Sequence, residues 1–254
     1  MEPLTPTITR IADRVADAWT YHCGPSRVEI PAGVCVAIAL TRDLPARGHG
    51  LTDLPNLPAL SPTEVRREMW MRWNHLNRLH LWARPRWLCL YGDLAPTPWV
   101  WNLEAGVQAV AAVCVEEGLA QLLADDETRL GADVLGHIRH RLVGLLWSQD
   151  PSPLEDDRRL SGPTRSLLAS AADGSALCID GNAASVFPRI VGELRRIGRS
   201  PAALRWHLRE IHELSAAVLT ASCVLWEVGE PLIGIAEHGE WVAEALEERE
   251  ELGF

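Results

Sequence analysis

Apolar side chains recur every three or four positions along most of this chain, the spacing that makes a segment coil and bury one face. Over 8–19, Ile8, Ile11, Val15, Ala18 and Trp19 share a stripe; Thr7 is placed to cap it and Gly24-Pro25 to end it. A second helix is predicted from 61 to 83, opened by Ser61-Pro62-Thr63-Glu64, which combines a cap, a first-turn proline and an early acid. Stripes follow over 103–123 (Leu103, Val107, Val110, Cys114, Leu122) and over 127–147 (Leu130, Val134, Ile138, Leu142, Leu145), parted by Asp125-Asp126-Glu127. Shorter helices are predicted over 163–171 and 186–197. Leu204, Leu208, Ile211, Val218 and Leu225 predict one long helix over 201–228, and a last helix is read over 232–251.

Period-two signals are few. Over 27–40, Val28 and Ile30 alternate with charged residues, and 34–40 is continuously apolar, which makes this the best strand candidate, with a turn at Pro31-Ala32-Gly33. A second short strand is a candidate over 87–91. Two Asp-Gly pairs, at Asp173-Gly174 and Asp180-Gly181, bracket Leu177, Cys178 and Ile179 as a small strand or a loop. The expected fold is therefore mainly α, bundle-like, with a small β element near 27–40. The polar, proline-containing stretch 149–157 is the candidate boundary between a region 1–148 and a region 158–254, unless the two form one continuous domain.

Composition narrows the class. With 47% apolar and 23% charged residues the chain has ordinary globular usage. It contains no uninterrupted apolar run of about 18 residues and no basic, apolar leader at its start, so the expectation is a cytoplasmic protein with no membrane partner. Six scattered cysteines without a CxxC read as buried reduced thiols. All 24 basic residues are arginine, which excludes the amine-dependent chemistries of a Walker A lysine or a Schiff base. Either coding bias or selection against amine modification would account for the absence of lysine.

Charge is segregated within the net −10. Over 61–86 six arginines face two glutamates, whereas over 227–254 nine glutamates face one arginine, so a basic segment and an acidic tail are available to pair within one chain or between two. In the basic segment Arg66, Arg67, Arg72, Arg78, Arg84 and Arg86 interleave with Trp70, Trp73, Trp82 and Trp87. Arginine clamps anions while an indole stacks, so Arg66, Arg67, Trp70, Arg72, Arg78, Trp82, Arg84, Arg86 and Trp87 form a candidate interaction surface. Its expected occupant is a protein or a second copy, with nucleic acid less favoured. Met69, Trp73, Leu76 and Ala83 read as a core stripe of the same helix.

Two further constellations carry chemistry. The stretch 198–209 resembles the turn and reading helix of a helix-turn-helix, with Ser200-Pro201 opening a helix and Arg199, Arg205 and Arg209 available to a groove. That resemblance covers about a dozen residues; Leu194 and Arg195 depart from the small-residue pattern of the first helix, and no wing follows. Asp133, His137 and His140 share one helical face and are candidate metal ligands of a helical metal-dependent enzyme. His207, Glu210 and His212 lack zinc-motif spacing, and no GxSxG or GxGxxG occurs. The reading that follows is a non-catalytic interaction or regulatory protein with no cofactor, acting through the Arg/Trp surface and the acidic tail.

Overall fold

The computed structural model describes residues 4–44, 50–95, 101–146, 160–235 and 241–251. Its first part is helical: α1 (Leu4–Cys23), α2 (Glu29–Ala39), α3 (Pro62–Leu79), α4 (Arg84–Tyr91), α5 (Trp101–Glu116), α6 (Leu119–Ala124), α7 (Asp126–Gly131) and α8 (Val134–Leu146). The second part adds α9 (Gly162–Ser170), β1 (Ala176–Ile179), α10 (Ala183–Arg196), β2 (Arg205–Glu210), α11 (Glu213–Leu225), β3 (Leu232–Ile235) and α12 (Trp241–Glu251). The mainly α class with a small β element holds, but the sheet lies in the second part rather than near 27–40.

The region 27–40 is the clearest correction. It forms α2, in which every residue from Ile30 to Ala39 is buried. A helix wrapped on all sides has no polar face, so no 3.6-residue period is visible, and its Val and Ile content imitates a strand. Gly33 sets how closely α4 approaches, since a Cβ there would stand 1.9 Å from the Leu90 carbonyl oxygen. Trp87 to Tyr91 is likewise helical, within α4.

Around α2, helix α1 packs on α5 and α8, and α3 and α4 close the other side. The start of α3 is as the sequence predicts: Ser61 accepts from the Glu64 backbone N–H, Glu64 accepts from that of Ser61, and Pro62 occupies the first turn. The two long stripes are each broken once. Left-handed Gly118 (φ 71°) separates α5 from α6, and extended Ala132 separates α7 from α8.

The sheet has order β1-β2-β3 and both pairings are parallel, with Leu177 beside Trp206 and Leu208 beside Ile233. The two crossovers run in one direction, and α10 and α11 pack on the same face, in one core with Trp206 and Leu208. Trp206 and Leu208 point into that layer, where Phe187 of α10 meets Trp206 edge-on at 4.9 Å. Arg205, His207 and Arg209 point to the opposite face, which α12 covers only at β3, where Trp241 packs over Gly234. The asserted helix over 201–228 is therefore a strand, a break at Ile211-His212, and a helix; that over 232–251 is a strand followed by α12. Leu204, Leu208 and Ile211 fit a helical stripe, but the in-out alternation of β2 is the pattern the fold uses. The segment between the two Asp-Gly pairs is β1.

Two apolar cores result. One fills the helical part, the other lies between the sheet and α10, and α11 serves both: Val218 and Ala221 face the first, Leu219 and Cys223 the second. The boundary expected at 149–157 lies outside the described residues.

Candidate functional site

The Arg/Trp segment is largely internal. Arg66 is buried and donates to the carbonyls of Leu94 and Ala95 and to Glu104, with an Arg66–Glu104 separation of 3.0 Å. Arg72, 2% exposed, donates to Thr41 Oγ1 and the Thr52 carbonyl and stands 3.8 Å from buried Glu68. Trp73 and Trp87 are buried edge-to-face at 5.4 Å, with Tyr91 and half-buried Trp70 stacked against Trp73 and Tyr91 respectively. Trp82 is half-buried where the two cores meet. These side chains hold the fold, because one face of α3 binds loop carbonyls that the chain brings inward. Only Arg67, Arg78 and Arg84 of the set are exposed, and none forms an ion pair with a described residue. The expected pairing of basic segment with acidic tail does occur within the chain, where Arg86 donates to Glu248 of α12 and, at 2.8 Å, to the Ile233 carbonyl.

The helix-turn-helix resemblance is overturned by the secondary structure. Arg205 and Arg209 lie on β2 and Arg199 in the loop before it, so the reading helix does not exist. Arg199 pairs with Asp173 at 2.8 Å, Arg205 donates to the Gly174 carbonyl, and Arg209 pairs with Asp180. The proposed metal ligands are not brought together either. Asp133 caps α8, accepting from the Gly136 N–H at 3.0 Å, and His137 Nδ1 lies 2.8 Å from the Asp133 carbonyl. Among the described residues no three His, Cys, Asp or Glu side chains converge as a metal site. His140 points elsewhere, into a cleft.

That cleft, of about 390 Å³, opens where α8 meets the carboxyl end of β2 and the start of α11. Arg139, His140, Asn182, Glu210, His212 and Ser215 supply its polar wall. Val143 and Leu214 supply apolar wall, and Leu146 and Ile211, each nearly half exposed, sit on it as well. Carboxyl ends of parallel strands collect such groups because the following helices begin there, each with amide N–H groups that have no partner within the helix.

The two helices that begin here are treated differently. At α10, Asn182 takes a left-handed conformation and offers no side-chain cap; instead Glu210, 3% exposed, reaches from β2 and accepts from the Ala184 N–H. Its negative charge sits against the positive end of the helix dipole. At α11, no side chain caps the first turn. Arg139 donates to Ser215 Oγ beside it, while its buried Nε has no hydrogen-bond partner and the guanidinium forms no ion pair with a described residue. A cation half withdrawn from water and matched only by a neutral hydroxyl is an uncompensated charge. The cleft therefore sets a guanidinium with no described carboxylate partner beside an apolar wall.

Sequence reasoning isolated His140 as a metal ligand and Glu210 only in a spacing that fits no zinc motif, and passed over Arg139 and Ser215. Their joining depends on β2 being a strand, which the helical reading of 201–228 concealed. The chain matches no family model, no curated protein and no solved structure. No helix of the described residues is long and apolar enough to cross a membrane.

Proposed function

We propose that this chain is a non-catalytic regulatory protein that binds a small anionic amphiphile in the cleft between α8, β2 and α11. The observation that carries the reading is Arg139, a half-buried guanidinium that has no carboxylate partner among the described residues and lies at an uncapped helix start. A carboxylate or phosphate head there complements the charge and the first-turn N–H groups, as Glu210 does at α10. The aliphatic part of the ligand lies along Val143, Leu146 and Leu214. Glu210 is engaged as a cap, and Ser215 accepts from Arg139 and donates to no imidazole in any described contact, which favours binding over nucleophilic catalysis. A cytoplasmic setting is supported by six unbridged cysteines.

Calorimetric titration with octanoate, octyl phosphate and octanol tests this. Binding of the two anions, weakened about tenfold by Arg139→Gln, is the expected result. Octanol binding as tightly as octanoate, or an Arg139→Gln variant with unchanged affinity, would defeat the reading.

A second reading, self-association, is favoured by the residual charge pattern. On α12, Trp241 and Ala245 face inward while Glu244, Glu247, Glu250 and Glu251 are exposed, and Arg67, Arg78 and Arg84 are exposed elsewhere. Contact between the acidic face of one copy and these arginines of another predicts a dimer that dissociates with salt. Sedimentation velocity at low and high ionic strength decides it; a monomer in both conditions removes this reading.

A further inference from the structure

We propose that a second binding site, for a phosphate group, lies at the amino end of the sheet and is formed by Arg205, His207 and Arg249. The three side chains line a cavity of about 330 Å³ bounded by β2, the turn leading into β3, and α12. It is separate from the cleft described above, which opens at the other end of β2.

Three features point to the ligand. First, among the described residues both guanidiniums are held only by carbonyl oxygens. Arg205 Nε donates to Gly174 at 2.8 Å, and Arg249 Nη2 donates to Glu230 and Pro231, each at 3.2 Å. Neither forms an ion pair with a described residue, although α12 is crowded with glutamates. The carbonyl contacts orient each guanidinium and leave its charge unneutralised, with remaining N–H donors available. Second, His207 lines the same cavity as both, where burial and then the positive charges of Arg205 and Arg249 push its imidazole below the ordinary value. Three basic groups thus converge in a chain of net charge −10. Third, apolar Leu232 and Leu246 line the same cavity and lower the local dielectric, which strengthens attraction for an entering anion.

The composition of the site selects phosphate. Planar guanidinium forks match phosphate oxygens in bidentate geometry, and an imidazole that protonates on binding adds a third donor. Because Arg249 belongs to α12 and Arg205 to β2, an anion held by both links the acidic terminal helix to the sheet. Besides the two arginines, the groups around His207 are Cys178 opposite it on β1, Arg209 on its own strand, Leu246 from α12 and the exposed Glu230.

Phosphorus NMR titration of the full chain with inorganic phosphate, at ionic strength held constant with chloride, tests the site. Arg205→Gln alters an exposed side chain and should weaken binding about tenfold, whereas Arg196→Gln, at an exposed arginine of α10, should leave it unchanged. The His207 ring-proton titration provides a second readout. Its midpoint should rise when phosphate is added to the native chain and stay put in Arg205→Gln. Phosphatidylcholine vesicles with and without phosphatidic acid identify the source of the group. Capture by the acidic vesicles alone assigns the site to a lipid headgroup; binding of free phosphate without capture assigns it to a small soluble phosphate. If neither probe binds, or if Arg205→Gln binds as the native chain does, the site does not exist.

Discussion

Arginine does the work in this chain of joining loops to helices. Arg66 and Arg72 hold carbonyls of passing loops, Arg129 holds that of Leu225, and Arg195 holds those of Leu130 and Trp226. A guanidinium offers five donors in a fixed plane, so one side chain satisfies several buried acceptors that an ammonium would serve less well. The sequence shows which residues are arginine but not which way they face, because helix α3 has acceptors on its buried side only after distant loops have folded over it. That is why the Met69, Trp73, Leu76 stripe was legible and the burial of Arg66 and Arg72 beside it was not. Burial lowers the pKa of Arg72, against the raising effect of nearby Glu68. Replacing Arg72 with Met leaves the buried Glu68 charge with the Thr52 N–H but without its cation, and should cost about 3–5 kcal/mol of stability in urea unfolding. Adding Glu68→Leu should restore most of that loss. An additive double variant would show that the pair does not act as a unit.

At the scale of elements, legibility followed the amount of contrast between the faces of each segment. Helices α1 and α3, half exposed, were read within a few residues; α2, buried all round, was mistaken for a strand. Nothing in a one-dimensional pattern marks Gly33 as a contact, yet its missing side chain lets the α4 backbone touch α2. Gly33→Ala should therefore lose about 1–3 kcal/mol, measured by the midpoint of chemical unfolding, even though alanine favours helices. An unchanged midpoint would contradict the close approach. Surface charge fastens α1 to the end of α5, where Glu117 meets Arg10 at 2.9 Å and also Arg14. Hydrogen bonding from Arg14, then from Arg10, holds the Glu117 carboxyl below its usual range. A carboxyl depressed in the folded state contributes stability above its unfolded value, near pH 4.3, and that contribution disappears as pH falls through the folded value. Both arginines are about half exposed, so solvent keeps the effect small. Glu117→Gln should accordingly lower the thermal midpoint slightly at pH 7 and narrow its difference from the native chain between about pH 5 and pH 3. A constant difference across that range would assign the loss to something other than the ion pairs.

For the molecule as a whole, the decisive element is α11, buried between two cores that share no other helix to the same degree. Leu225 belongs to the first core and its carbonyl accepts from Arg129, while Leu219, less than two turns earlier, belongs to the second. The cleft opens at the start of this helix, where α8 of one core meets β2 of the other, so any occupant would touch both. The polar stretch 149–157, outside the described residues, is the boundary that the sequence offers between the two parts. Such stretches mark where a chain can part, but burial on both sides of one helix makes each core's exposure costly to the other. Leu225→Ala should remove about 2–5 kcal/mol by leaving a cavity in the first core. If the cores unfold as one unit, amide exchange in β2, remote from the substitution, should accelerate as much as exchange in α2. Full protection retained in β2 while α2 is released would mean that α11 frays along its first-core face without dragging the sheet with it. The cleft would then lie on a hinge, and ligand binding would tighten two bodies rather than fill a fixed site.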